Sequence, residues 1–181
     1  MNSLNWPVRD RFFELHSQWL TLIGEHLDTP TGQTLEYWRV EKADSLIVLP
    51  IYEQSIFLPP PVYRPGLGET TLDFPGGRFQ HGEDLHTTAQ TILNRELGID
   101  GAIAYFYPLN AAGWPVNSSF SNQRLFGVVA ELSAYPLSSV DVITYPLTNA
   151  GIQDLLEVLT CLQCRSVLLQ WWMTQLGVLR R

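Results

Sequence analysis

Apolar residues recur at helical spacing in four stretches of the chain and at strand spacing in most of the rest. From Pro7 to Leu27, Phe12, Leu15, Trp19, Leu22 and Ile23 lie three or four apart, and Pro7 suits a first helical turn, so the pattern predicts an amphipathic packing helix there. Asp28 to Gly32 reads as a turn-rich linker. Leu35, Tyr37 and Arg39 alternate as in a strand, and Ser45 to Ile51 is an apolar run of the kind a central strand carries. Ser55–Leu58 and Val62–Arg64 make a further strand interrupted by Pro59, Pro60 and Pro61, which cannot donate to a ladder. Ala102–Pro108, Gln123–Leu132 and Ser139–Leu147 read as later strands. Thr148 can cap a helix from Asn149 to about Leu159, and a second runs from Gln163 to Leu176 before Gly177 stops it.

The central stretch is Leu72 to Asp100. Leu72–Phe74 reads as a short strand ended by Pro75, Gly76 and Gly77, glycines that permit positive φ or a close backbone approach. Asp84 is a plausible N-cap with Glu83 beside it, and Gly98 sits where a helix-ending residue belongs, so the helix between them is about four turns long. Leu85, Ala89, Ile92, Leu93 and Leu97 form its apolar stripe, and Glu96 falls inside that stripe. A carboxylate there costs several kcal/mol unless something pairs with it, and Arg78 and Arg95 are the candidate partners for a buried ion pair.

That spacing resembles a Nudix box, Gly-x5-Glu-x7-Arg-Glu-apolar-x-Glu-Glu-x-Gly-apolar. Gly77, Glu83, Leu93, Glu96 and Gly98-Ile99 match; Thr91, Ile92 and Arg95 stand where the pattern asks for arginine, glutamate and glutamate. Tyr63-Arg64-Pro65 followed by Asp73-Phe74-Pro75-Gly76-Gly77 is similar to the ADP-ribose pyrophosphatase branch, with Asp73 in the place of a glutamate. The resemblance implies an α/β/α sandwich around a mixed sheet, a Nudix-like domain over 35–181 with a C-terminal helix pair; residues 1–34, which carry the helix expected over Pro7–Leu27, read as an N-terminal helical extension of the same single domain. It also implies hydrolysis of a nucleoside diphosphate linked to another group, with Mg²⁺ held by box glutamates.

Glu96 and Glu83 are the matching candidates for catalysis and metal binding, Arg64, Arg78, Arg95, Gly77 and Trp114 those for substrate. Hard cations want several oxygen ligands, and Arg95 among them repels a metal, so the hold on Mg²⁺ is expected to be weak or absent. Arg64 and Arg78 read equally well as surface arginines paired with Glu69 or Asp73. The related enzymes commonly draw a general base from the loop matching Asn110–Asn122. Here that loop has no Asp or Glu, and Trp114 or Phe120 stacks on a base or caps the core. Three functions follow: a nucleotide-diphosphate binding module with lost or much weakened hydrolysis, a scaffold, or an active hydrolase with non-standard ligands. In related proteins the N-terminal segment helps form a dimer, so a homodimer is a further expectation.

Composition narrows the field. At 181 residues the chain suits one well-packed domain with additions. A net charge of −7 and a single lysine, Lys42, leave no basic patch for nucleic acid. No apolar run reaches the roughly eighteen residues of a membrane span and the N-terminus lacks a signal-peptide pattern, so a cytoplasmic location is expected. His16, His26, His81 and His86 are too scattered for a metal site. Cys161 and Cys164 form a C-x-x-C, read as buried free thiols because no second ligand pair accompanies them.

Overall fold

The computed structural model describes residues 5–80, 82–135 and 141–178. They fall into two compact units, the described residues of 5–43 with 115–124, and those of 44–114 with 125–178.

In the first unit Val8–His16 (β1), Thr21–Asp28 (β2) and Thr34–Glu41 (β3) form an antiparallel three-stranded sheet in that order. The helix expected over Pro7–Leu27 is therefore corrected to a hairpin. Two features hide the strand period. Register shifts between Val8 and Asp10 and between Arg11 and Phe13 break the alternation of β1. Trp19, which completed the helical spacing, lies in a tight turn where Ser17 Oγ accepts the N–H groups of Trp19 and Leu20, both at 3.1 Å. The unit encloses one carboxylate. Glu25, 2 % exposed, accepts Arg11 Nη2 and Arg39 Nε at 2.9 Å each, so neighbouring strands supply the two cations that its burial demands. Residues 115–124 join this sheet through Val40 N–H to Phe120 O at 2.7 Å and Tyr37 Oη–H to Ser119 O.

The second unit begins with Asp44–Tyr52 (β4), Ser55–Leu58 (β5), Val62–Arg64 (β6), Glu69–Thr71 (β7) and Gly76–Phe79 (β8). After the helix Leu85–Leu97 (α1) come Ala104–Pro108 (β9), Trp114–Pro115 (β10), Arg124–Leu132 (β11) and Ile143–Pro146 (β12). Asn149–Val158 (α2) and Leu162–Gln175 (α3) close the described chain. β6 and β7 pair only with each other; the rest form a seven-stranded mixed sheet ordered β10-β11-β4-β5-β12, with β8 on β4 and β9 on β11. β11 runs parallel to β4, from Leu125 opposite Ser45 to Glu131 opposite Ile51. The expected last strand over Ser139–Leu147 is described only from residue 141.

β4 is apolar at successive positions because both of its faces are covered. Leu46 and Val48 pack with Ala89, Ile92, Leu93 and Leu97 of α1. On the other face Gly127 of β11 leaves room for α3, where a Cβ would stand 3.1 Å from Val167 Cγ2. Helices on both faces of a mixed sheet make the α/β/α sandwich expected.

Both ends of α1 are set as the sequence indicates. Asp84 Oδ2 accepts Thr87 N–H at 2.8 Å, and Gly98, at φ 64°, donates to Asn94 O. The strand expected at Leu72–Phe74 is displaced. Those residues are irregular, and Gly76 and Gly77 lie inside β8, paired with Ile47 and Leu46. Gly77 serves close packing of the helix on the strand: a Cβ there would meet Ile92 Cδ1 at 3.1 Å and Arg95 Nη2 at 3.4 Å.

Candidate functional site

β8 and the C-terminal half of α1 bring Gly77, Ile92, Arg95 and Glu96 together. Arg95 folds back from the last helical turn so that Nη2 donates to Gly76 O at 2.8 Å and to Glu96 Oε1 at 2.7 Å. Its Nε donates to the same Glu96 oxygen at 3.2 Å. Glu96 is 29 % exposed and Arg95 56 %, so the pair lies at the rim of the apolar stripe. The partner that Glu96 requires is thus its immediate neighbour. Glu83 is exposed on the loop before α1, where Oε2 accepts Gln80 N–H at 3.0 Å and Thr88 Oγ1 at 3.4 Å. Among the described residues, neither Glu83 nor Glu96 belongs to a metal-sized cluster of three or more Asp, Glu, His or Cys groups.

The remaining expected residues are spread over the same unit. Arg78 is exposed on β8 opposite Ser45 of β4. Trp114 is half-buried on β10, at the edge of the sheet beside β11. His81 lies outside the described residues. Arg64 on β6 is paired with Asp73, its Nε and Nη2 donating to Oδ2 at 2.8 and 2.7 Å, and Thr71 Oγ1 adds a third bond to that oxygen at 2.9 Å.

The Asp73 carboxylate has a second side that sequence reasoning missed. Asp73 Oδ1 faces the Cys164 thiol at 4.0 Å, and the donor atoms of Asp73, Cys161 and Cys164 all lie within 4.8 Å of one another. Cys161 is the N-cap of α3 and Cys164 is buried in its first turn. Hydrogen bonding from the Cys164 thiol, with the N–H groups of Cys164 and Gln163, brings the Cys161 thiol down to about 6 against the opposition of burial. The Cys164 thiol is pushed up, first by Cys161 and then by burial. A usable signal was present, since the C-x-x-C stands at the start of an expected helix; the sequence separation from Asp73 concealed the third member.

A separate cleft of about 420 Å³ in this unit is lined by Glu53, Glu131, Trp171 and Trp172 among others and includes none of the expected site residues. No helix among the described residues is long and apolar enough to cross a membrane.

These features make the described fold of the second unit an α/β/α sandwich, with the helix between Asp84 and Gly98 packed on the sheet. Among solved structures of similar fold is the crystal structure of an ADP compounds hydrolase, at a TM-score of 0.72 and 21 % identity over 99 % of this chain and 100 % of that one. No protein-family model matches the chain, and neither does any curated protein sequence.

Proposed function

We propose that the protein binds a nucleoside diphosphate-linked small molecule of the ADP-ribose kind and that its metal-dependent hydrolysis is lost or much weakened. One observation carries the reading: the Arg95 guanidinium spans Gly76 O and Glu96 Oε1, at the helix position where the box pattern asks for a glutamate. A hard divalent cation needs several oxygen ligands at about 2.0–2.6 Å. Here Ile92 offers none, Glu96 is engaged by a cation and Glu83 is occupied by local bonds. These residues do not fit Mg²⁺.

A guanidinium supplies fixed positive charge and planar donors, which recognise phosphate oxygens without a metal. Arg95, at 56 % exposure, can keep its Glu96 contact and still present N–H groups outward. Arg64 and Arg78 are the further candidate phosphate or ribose contacts, and Trp114 the candidate aromatic surface for a base. Gly77, against which Ile92 and Arg95 pack closely, keeps the β8 backbone beside the Arg95 guanidinium and is a further candidate for ligand contact. The ADP compounds hydrolase of like fold supports this ligand class.

Thermal unfolding with and without ADP-ribose tests the reading. A ligand present at 100 times its dissociation constant stabilises by about 2.7 kcal/mol, and the shift should be the same with Mg²⁺ as with a chelator. No shift under either condition contradicts it. The double variant Ile92→Glu with Arg95→Glu restores two box carboxylates, and metal-dependent hydrolysis by it would show that only the ligands were lost. A scaffold reading is favoured by one fact, that Arg64 and Arg95 already hold carboxylate partners; absence of any nucleotide shift would select it.

A further inference from the structure

The C-x-x-C at the start of α3 is left unused by the nucleotide reading, and it has the parts of an exchange site. Cys161, the N-cap, is partly exposed with extended backbone at φ −64° and ψ 116°, while Cys164 is 2 % exposed one turn on. Only the first thiol is open to a reagent. The N-terminal N–H groups of this helix, those of Gln163 and Cys164 among them, and its positive dipole end stabilise an anion at Cys161. A third group comes from a distant part of the chain: Asp73 Oδ1 faces Cys164 Sγ at 4.0 Å, while Arg64 and Thr71 hold Oδ2. The aspartate is thus held still, with one oxygen directed at the buried thiol.

We propose that Cys161 and Cys164 form a redox-active dithiol that reduces low-molecular-weight disulfides, Cys161 attacking, Cys164 resolving and Asp73 receiving the proton of the resolving thiol. In the first step the Cys161 thiolate, its proton already lost to solvent, attacks one sulfur of RS–SR. A Cys161–S–SR bond forms and RS⁻ leaves, taking up a proton from solvent. In the second step the Cys164 thiol gives its proton to Asp73, and its sulfur attacks Cys161 Sγ. The Cys161–Cys164 bond forms and the second RS⁻ leaves, to be protonated from Asp73. The protein dithiol is oxidised by two electrons and RS–SR is reduced to two RSH. The low value of the Cys161 thiol and the raised one of Cys164 agree with these roles.

A soft-metal site made of the same three groups is the competing use, and two features oppose it. The helix N-terminus favours negative charge, and the Arg64 guanidinium is bound directly to the would-be carboxylate ligand.

The test uses the full chain, reduced and then equilibrated with graded ratios of glutathione to glutathione disulfide, with intact mass and thiol labelling as readouts. Wild type should lose both thiols together as one internal disulfide. Cys164→Ser should accumulate one glutathionyl group on Cys161, and Cys161→Ser should take up none. Asp73→Asn should prolong the mixed disulfide in the wild-type thiol background by about a hundredfold, the usual contribution of a positioned base. Alkylation of Cys161 in wild type should titrate near pH 6, a readout that needs no variant to fold. Retention of both thiols in glutathione disulfide, first reaction at Cys164, or purification with one zinc bound per chain through both thiols would overturn the assignment.

Discussion

Two carboxylates on apolar surfaces, Glu25 in the three-stranded unit and Glu96 on α1, are answered by arginine in different ways. Glu25 is 2 % exposed and receives Arg11 and Arg39 from the strands on either side, using both of its oxygens. Glu96 is 29 % exposed and receives Arg95 alone, on one oxygen, while the same guanidinium reaches the backbone of β8. An enclosed carboxylate with two cations is a structural tie whose loss strands a charge. An open pair at the foot of a glycine strand has donors to spare and can exchange partners with a ligand. Pairing alone therefore does not mark a site; exposure and spare bonding capacity do.

That contrast can be broken by substitution. Glu25→Ala leaves two arginines without their buried partner and is expected to cost about 3–5 kcal/mol in the three-stranded unit, read by hydrogen exchange of its amides. Glu96→Gln, at a half-buried carboxylate whose arginine partner is exposed, should cost no more than about 1 kcal/mol by denaturant unfolding. Equal costs would remove the distinction. Leu93→Ala, beneath the Glu96 pair on the fully buried side of α1, should cost about 2–5 kcal/mol, which would show that the helix is held by its apolar stripe and not by its ion pair.

Acid should separate the two carboxylates as well. Hydrogen bonds from Arg39, reinforced by those from Arg11 and opposed by burial, hold the Glu25 carboxyl below its ordinary range. A lowered folded value means that its stabilisation is complete above the unfolded value of about 4.3 and is lost as pH falls through the folded one. The difference between wild type and Glu25→Ala should accordingly be constant from about pH 7 to 5 and shrink below about 4. Smaller effects complete the series. Gly77→Ala pushes on Ile92 and Arg95 and should cost about 1–3 kcal/mol, and Asp84→Ala removes the α1 cap for about 1 kcal/mol. Both are measurable by urea unfolding.

Local signals in the sequence were legible where one element decides its own form. Asp84 and Gly98 bound α1 at the expected ends, and the apolar run Ser45–Ile51 lies within the central strand β4. Tertiary context decided the rest. The apolar spacing of Phe12, Leu15 and Trp19 fits a helix only because bulges and a Ser17 turn disguise a hairpin. Gly76 and Gly77 read as a turn, but both lie in β8, and the approach of Ile92 shows why a glycine suits position 77 there. Neighbours at i and i+1 on a helix do not normally face one another, and Arg95 meets Glu96 because Gly76 O draws its side chain back. The Asp73 and Cys164 contact joins residues 91 apart, beyond any local pattern.

Calorimetric titration of the full chain with ADP-ribose, once in Mg²⁺ and once in excess chelator, tests most directly whether an arginine has taken over the work of a metal. The expected result is saturable binding of equal affinity in both buffers, weakened at least tenfold by Arg95→Ala, with intact ligand recovered afterwards. Binding seen only with Mg²⁺, or ADP-ribose recovered as cleaved products, would contradict it.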